Sequence, residues 1–408
     1  MPTRRAVTAL AAGACFTGTL SPPAPAQAVA NTIQLPLQQS EGGVLTAGVF
    51  IEGEPFRLIV DSGSPYVVVP LEESCDTQPP KLSFYGCAEP RQFRPSGQPP
   101  TAEQYGALPG RMLWLKGDVS FAETESTYDE AGRPAMRFRS FDGGSGGTLT
   151  FGGGDRKVMS QSAGALLGLI RNVNLDPAVS TIPVADLRPT ALAQLGLSSF
   201  RLDAPGRMLT LSSAPLLHQA ASSLSAQAAV TPSPARRNRL VTPLLDDHVD
   251  DALPLVDPRP FGDGVEHICC RVADDEIVLN GVPMRSSRPV LCVFDTGLTG
   301  CVLSQSLVDE LGLQQVVTPD APFSLADAAQ RTGVRALSLQ VCTEGGRRVV
   351  LGSNLRASPL FYTQAVRLGW FNDVTNGPHV VALGQCVLGR GTLTVDGPQR
   401  RATWSAES

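Results

Sequence analysis

Hydrophobic and polar residues alternate over short runs along most of the chain, and Gly and Pro residues separate these runs. Because neighbouring side chains of a strand point to opposite faces of a sheet, this pattern predicts a mainly β protein. Helical stretches are few, and the best two are residues 184–197 and residues 304–313. The second segment begins with Ser and ends near a Gly, as helices often do.

Two places interrupt the β pattern with a carboxylate between apolar runs. Residues 56–70, FRLIVDSGSPYVVVP, set Asp61 in a turn between two predicted buried strands, and residues 290–304, VLCVFDTGLTGCVLS, do the same with Asp295. One such turn has an ordinary explanation, since Asp and Gly favour turns, although burial of an unpaired charge is costly. Two matched turns predict two related lobes that each contribute one Asp to a shared interface.

Each Asp turn is followed downstream by a second matched segment. Residues 163–170 read AGALLGLI and residues 380–389 read VVALGQCVLG, so each segment holds two apolar residues and then a Gly. The pattern predicts a core strand beside each Asp turn, where Gly168 and Gly384 allow close approach of the backbone.

Length, composition and charge narrow the functional classes. The chain has 408 residues, of which 42% are hydrophobic and 17% charged, so two domains with sizeable cores can form. The formal net charge is −5 and no basic stripe is present, which argues against nucleic acid as a partner. Because the four His residues are scattered and neither an HExxH motif nor paired CxxC motifs occur, the sequence predicts no metal site and no cofactor.

The beginning of the chain has the order of an export signal. A basic start precedes an apolar run, residues 6–20, and Ala26-Gln27-Ala28 follows as a cleavage motif. The run is too short to span a membrane, and no other segment looks transmembrane, so we expect an exported chain, secreted or lumenal, without a membrane span. Arg4 and Arg5 leave the twin-arginine route, to the periplasm or the thylakoid lumen, as an alternative.

The predicted organisation is a signal peptide at residues 1–28, an N-terminal lobe at 29–216 and a C-terminal lobe at 240–408. Residues 217–239 are rich in Ala and Ser and contain two Pro, which predicts an exposed linker between the lobes.

Eight cysteines lie outside the predicted signal, and an even number in an exported chain predicts disulfides. The pairing of six of them stays open from the sequence: Cys269, Cys270, Cys292, Cys301, Cys342 and Cys386.

Together these motifs resemble those of the pepsin-like aspartic peptidases. The resemblance runs from about residue 48 to residue 404 and is densest over residues 48–106. It implies a bilobal acid-protease fold, with two β-barrel-like lobes and the active site between them. It also implies a monomeric endopeptidase that cleaves peptides or proteins with a water activated between Asp61 and Asp295, without a covalent intermediate.

The resemblance assigns supporting roles around the two aspartates to Ser62, Gly63, Ser64, Thr296 and Gly297. The two glycines allow tight turns. The hydroxyls of Ser62 and Thr296 are expected to cross between the turns, and the hydroxyl of Ser64 is expected to bond to Asp61.

Four further residues take their roles only from the resemblance. Tyr105, followed by Gly106, matches the Tyr of the flap that closes over the substrate. Cys75 and Cys87 match the disulfide of the loop before the flap.

The sequence departs from the family pattern in four respects. Leu298 replaces the usual hydroxyl after the second Asp-Thr-Gly, and Val68 replaces an aromatic residue that supports the flap Tyr. Residues 121–154 have no clear counterpart, and the short spacer after Ala28 indicates no inhibitory propeptide.

Two alternatives remain. The first is a non-catalytic homologue that binds peptides or proteins in the cleft that the family uses for substrate. The second is a serine hydrolase, because residues 143–147, GGSGG, fit a GxSxG motif. That motif requires a strand before the Ser and a helix after it, whereas here a flexible loop is predicted.

Overall fold

The chain is organised as three β-sheets with few helices, within the residues that the structure describes. The structure is a computed structural model that describes residues 32–39, 43–72, 86–103, 110–128, 134–155, 164–171, 190–217, 252–256, 265–312, 336–354, 361–366 and 377–406. Strands account for 59% and helices for 7%, and the sheets are barrel-like, which confirms the predicted mainly β class. The predicted export signal and all but the first residue of the predicted linker lie outside the described residues.

The first sheet combines strands from both halves of the chain. In pairing order its strands are β1 (Thr32–Pro36), β12 (Met208–Ser212), β11 (Ser199–Asp203), β22 (Gly391–Asp396), β23 (Arg401–Ala406) and β13 (Leu253–Pro254). The central antiparallel pair is β11 with β22, in which Ser199 lies opposite Asp396. Three strands from residues 32–212 therefore join three strands from residues 253–406 in one sheet.

The second sheet contains the first Asp turn. In pairing order its strands are β2 (Gln38–Gln39), β3 (Leu45–Ile51), β4 (Glu54–Asp61), β10 (Leu166–Gly168), β5 (Val67–Pro70), β9 (Pro134–Gly154), β8 (Gly110–Tyr128) and β6 (Arg94–Pro95), and β7 (Thr101–Glu103) also pairs with β8. An additional pairing joins β3 to β8, with Val49 opposite Phe121. This pairing closes the sheet on itself, so that it has no open edge there.

A long antiparallel hairpin, formed by β8 and β9, occupies the region without a family counterpart. Residues 143–147 lie within β9, and Ser145 is opposite Ser120, so the prediction of a flexible loop was wrong. Gly weakens a strand but does not end it when a long partner strand supplies the hydrogen bonds, and register shifts on both sides of Ser120 accommodate the irregularity. The GxSxG alternative is also wrong, because that motif requires a helix directly after the Ser, whereas strand β9 continues from Ser145 to Gly154.

The third sheet contains the second Asp turn. In pairing order its strands are β19 (Arg348–Asn354), β18 (Ala336–Cys342), β14 (Cys269–Leu279), β16 (Val290–Phe294), β21 (His379–Leu383), β17 (Cys301–Ser304) and β20 (Phe361–Val366), with β15 (Val282–Arg285) paired to β14. Every residue of β16 is buried, as expected for a central strand that is covered on both faces.

The two Asp turns have equivalent surroundings in the second and third sheets. Strand β10 is parallel to β4 and antiparallel to β5, and strand β21 is parallel to β16 and antiparallel to β17. The predicted core strand beside each Asp turn is thus confirmed. Gly168 pairs with Asp61, and a Cβ atom at Gly168 would lie 2.5 Å from the carbonyl oxygen of Ser64, so only Gly fits there.

The helices of the described residues are short. They are α1 (Ala191–Gln194), α2 (Gln305–Glu310), α3 (Gln385–Leu388) and a 3-10 turn (Pro90–Gln92). Helix α1 lies in the first predicted helical segment, and Gly196 stops it because this residue has a φ of 67°, in the left-handed region. Helix α2 confirms the second predicted segment, and Gly312 follows it with a φ of 62°. No helix of the described ranges is long and apolar enough to cross a membrane.

Candidate active site

The two predicted Asp turns meet in the structure. Asp61 is the last residue of β4, and Asp295 comes directly after β16. The last six residues of β4 and all five residues of β16 are buried, so each strand delivers its carboxyl group to the inside of the protein. The amide of Asp295 donates to the carbonyl of Leu383 in β21 at 3.0 Å, and the carbonyl of Asp61 accepts from Leu169 at 2.8 Å. Each turn is therefore anchored to the matched strand beside it.

Four hydrogen bonds between Ser62 and Thr296 and their neighbours lock the turns together. The Ser62 hydroxyl donates to the carbonyl of Phe294, and the Thr296 hydroxyl donates to the carbonyl of Val60, both at 2.8 Å. In return, the Ser62 amide donates to Thr296 Oγ1 and the Thr296 amide donates to Ser62 Oγ, both at 3.0 Å. Each hydroxyl thus satisfies one donor and one acceptor of the opposite turn, as the family resemblance implies.

Steric contacts explain why each of the two turns contains a glycine. A Cβ atom at Gly63 would lie 2.5 Å from Cγ of Asp295, and a Cβ atom at Gly297 would lie 2.6 Å from Cγ of Asp61. Because real Cβ atoms essentially never come so close to another heavy atom, any other residue at either position would force the facing carboxyl group to move. Gly63 and Gly297 therefore set how closely the carboxyl groups approach.

The carboxyl groups of Asp61 and Asp295 hydrogen-bond to each other at the centre of this frame. They are 7% and 3% exposed, and the amides of Gly63 and Gly297 donate to them at 2.8 Å and 3.0 Å. Burial raises the pKa of Asp61, and burial together with the charge of Asp61 raises the pKa of Asp295 well above its usual range. The pair therefore holds one proton at a pH that ionises separate carboxyls.

The residues that follow each turn do not supply a hydroxyl to the carboxyls. Ser64 Oγ is buried and has no hydrogen-bond partner within the described structure, so the expected bond to Asp61 is not formed. On the other side, the backbone amide of Leu298 bonds to Asp295 and lowers the pKa of that carboxyl. The two halves are thus more alike here than the sequence indicates.

His267 lies beside the carboxyl pair. The amide of Phe294 donates to the carbonyl of Ile268 at 2.9 Å, which continues the antiparallel pairing of β14 with β16 by one residue. One residue further along this pairing, His267 lies opposite Asp295. His267 is 4% exposed, and its charge lowers the pKa of Asp61. Sequence reasoning missed this residue, because only the pairing of β14 with β16 brings it to the site.

Gln385 is a second residue that sequence reasoning missed. Its Nε2 atom donates to the carbonyl of Thr296 at 2.8 Å, and its amide donates to the carbonyl of Leu298, also at 2.8 Å. It follows Gly384 in the second matched segment, whereas the apolar Leu169 follows Gly168 in the first. This difference between the two matched segments, a polar residue in the second and an apolar residue in the first, is the sequence signal that could have identified Gln385.

Four predicted residues are not tested by this geometry. Tyr105 and Gly106 belong to the connection between β7 and β8 and lie outside the described residues, as does Cys75. The roles of Tyr105 and Gly106 in a flap, and the disulfide between Cys75 and Cys87, stay predictions.

Six cysteines of the third sheet and its surroundings are thiols that are not joined in a disulfide: Cys269, Cys270, Cys292, Cys301, Cys342 and Cys386. Cys270 lies opposite Cys292 in the pairing of β14 with β16. The sulfur atoms of Cys301 and Cys386 are 3.3 Å apart, next to the second Asp turn. No described group of three or more His, Cys, Asp or Glu residues is arranged to hold a metal ion.

Comparison with known proteins assigns no family to the chain. No protein-family model matches it, and no curated protein matches its sequence.

Proposed function

We propose that the protein is an aspartic endopeptidase of the pepsin-like bilobal type. The observation that carries the proposal is the buried, hydrogen-bonded carboxyl pair of Asp61 and Asp295, held between two interlocked turns. Two buried carboxyl groups this close repel each other when both are ionised. A shared proton relieves that repulsion and leaves one acid and one base side by side.

Each carboxyl then has a defined task. The ionised member takes a proton from a water held between the two groups, and the protonated member donates a hydrogen bond to the carbonyl oxygen of the peptide bond. Attack of the water gives a tetrahedral intermediate without a bond to the enzyme, and return of the proton to the amine completes hydrolysis. The substrate is expected to lie extended, with backbone hydrogen bonds and alternating side-chain pockets, and with apolar side chains next to the cleaved bond.

Exchange of either aspartate tests the proposal. Asp61→Asn and Asp295→Asn should each lower kcat/KM for peptide cleavage by at least about 10²-fold, because one carboxyl cannot act as acid and base at the same time. Binding of a statine-type transition-state analogue should be lost in both variants. Cleavage of a peptide library, measured across pH by mass spectrometry, provides the comparison.

Asp118→Asn is the matched control, because Asp118 is an exposed surface residue whose ion pair with Arg94 contributes little to stability. This variant should cleave like the wild type. If Asp61→Asn or Asp295→Asn retained nearly full activity, the assignment would be wrong. If the folded wild type bound peptides but cleaved none at any pH, the non-catalytic alternative would replace it.

A further inference from the structure

A pair of cysteine thiols lies behind the second Asp turn. Cys301 is the first residue of β17, and Cys386 is the second residue of α3, and their Sγ atoms are 3.3 Å apart. Cys301 is fully buried, whereas Cys386 is 8% exposed. Cys301 is therefore shielded from solvent, whereas Cys386 keeps a small exposed fraction.

Backbone hydrogen bonds hold the two sulfur atoms together. Cys301 lies opposite Leu383 in the pairing of β17 with β21, and the chain then passes Gly384 into α3. The amide of Cys386 donates to the carbonyl of Thr299 at 3.0 Å, two residues before Cys301. The two thiols are thus placed by β17, which follows the second Asp turn, and by α3, whose Gln385 bonds to that turn. Only a small shift is needed to bring the sulfur atoms to bonding distance.

Cys386 is also the more reactive of the two thiols. A cavity of about 210 Å³ reaches it, and Gln39, Gln385 and Arg390 are among the residues that line this cavity. The hydrogen bond from Cys301 lowers the pKa of the Cys386 thiol, and the positive charge of Arg390 lowers it further. The pKa of Cys301 is raised well above its usual range by its hydrogen bond with Cys386 and by burial. A thiolate is the nucleophilic form of cysteine, so Cys386 is the attacking group.

We propose that Cys386 and Cys301 form a redox-active dithiol whose substrate is a small disulfide that carries carboxylates. The Cys386 thiolate attacks one sulfur of the disulfide, which forms a mixed disulfide and releases one thiolate. Cys301 then gives up its proton, its sulfur attacks Cys386 Sγ, and the second thiolate leaves. The two cysteines lose two electrons and two protons, and the small disulfide is reduced to two thiols.

The charge and size of the cavity select this class of substrate. Arg390 places a positive charge at the cavity, which favours a carboxylate, and a volume of about 210 Å³ suits one arm of a small molecule. The resulting disulfide would close a loop of 85 residues and join β17 to α3. Because Gln385 of α3 is bonded to Thr296, this link would brace the second Asp turn. The proposal stands on the two thiols alone and does not depend on peptidase activity.

Oxidised glutathione is a suitable probe with the reduced, folded, full-length protein. The wild type should end with an internal disulfide between Cys301 and Cys386, found by peptide mapping, and its thermal midpoint should rise by several degrees, since cross-linking a long loop destabilises the unfolded chain. Cys301→Ser should stop at a stable mixed disulfide between Cys386 and glutathione. Cys386→Ser should leave Cys301 unmodified.

Two controls separate this reaction from general thiol oxidation. Cys342→Ser, which removes an exposed thiol, should leave the internal disulfide unchanged. Cys270 and Cys292 face each other but are buried, and they should remain reduced in the folded protein.

Arg390→Gln tests the role of the cavity charge. It should slow the reaction with oxidised glutathione several-fold but not the reaction with uncharged hydroxyethyl disulfide.

The result that overturns the proposal is a wild type in which Cys301 and Cys386 remain thiols under excess oxidised glutathione. A Cys301→Ser variant without a mixed disulfide at Cys386 would do the same. If Cys301→Ser does not fold, Cys301→Ala, which leaves no buried hydroxyl, takes its place.

Discussion

Leu298 stands where the pepsin-like pattern has a hydroxyl residue, so it is the departure that bears most directly on the chemistry of the carboxyl pair. A hydroxyl bonded to a carboxylate stabilises the charged form and lowers its pKa. Neither Ser64 nor Leu298 gives such a bond, and both carboxyls are buried, so the pKa of each is raised. We therefore expect an activity optimum at weakly acidic or neutral pH rather than at strongly acidic pH.

Leu298→Thr tests this expectation. The new hydroxyl should lower the pKa of Asp295, so that the pair loses its shared proton at lower pH and the alkaline limb of the activity profile moves towards acid. Leu298→Val is the matched control, because it has the shape of Thr without the hydroxyl. The profile of kcat/KM against pH is the measurement. If the Thr and Val variants had the same profile, Leu298 would act only through packing.

His267 gives a prediction of opposite sign for the acid limb. Its charge lowers the pKa of Asp61, so the neutral variant His267→Gln should raise that pKa. The pair would then become singly protonated only at higher pH, and the acid limb of the profile should move upward while the alkaline limb moves less. Identical acid limbs in the variant and the wild type would show that His267 has no electrostatic effect on catalysis.

At the scale of elements, the interlock of Ser62 with Thr296 joins β4 to β16. Thr296→Val keeps the shape but leaves the buried carbonyl of Val60 and the amide of Ser62 without partners. Because each unsatisfied buried group costs about 1–3 kcal/mol, we expect this variant to lose about 2–4 kcal/mol of unfolding free energy. Thr296→Ser keeps the hydroxyl and should lose less.

Urea denaturation of Thr296→Val, Ser62→Ala and the double variant measures the coupling. Residues that share a buried hydrogen-bond network are not additive, so the double variant should lose less than the sum of the two single losses. Additive losses would mean that the two turns fold independently of their crossed hydroxyls.

The link between α2 and the third sheet gives a prediction about acid stability. Glu310 accepts hydrogen bonds from the Ser287 amide at 2.5 Å and from Nε2 of the buried His379 at 2.6 Å. Burial opposes ionisation, but these bonds and the His379 charge dominate, and they lower the pKa of Glu310 from 4.5 to about 2. A carboxyl whose pKa is lower in the folded state stabilises the fold above its unfolded pKa.

This contribution should disappear as the pH falls from about 5 to about 2. Glu310→Gln should therefore be less stable than the wild type at neutral pH, and the difference should shrink in that acid range. Thermal unfolding at several pH values is the measurement. A difference that stayed constant with pH would mean that the carboxyl charge of Glu310 is not what stabilises the link.

The elements that the sequence predicts best are those with a local cause. The apolar runs before Asp61 and Asp295 and the Gly residues beside them follow from neighbouring residues, and the structure places them as expected. Residues 143–147 were predicted wrongly, because their pairing with Ser120 and its neighbours depends on a partner strand that local composition does not reveal. The same holds for His267, which reaches the site through a sheet register.

At the scale of the whole molecule, the sequence reveals duplication but not how the halves are joined. The matched Asp turns predict two related lobes. The pairing of β11 with β22 has no local signal, because Ser199 and Asp396 are 197 residues apart. Such distant contacts form only when the chain has already collapsed, and they slow folding.

The shared sheet also sets a condition on biosynthesis. Strand β11 has no partner for its second edge until the ribosome has made residues 391–406, nearly two hundred residues later. Until then the unfinished protein carries an open strand edge that can pair with any other exposed strand. We therefore expect a chain that ends between β11 and β22 to keep this open edge and to aggregate.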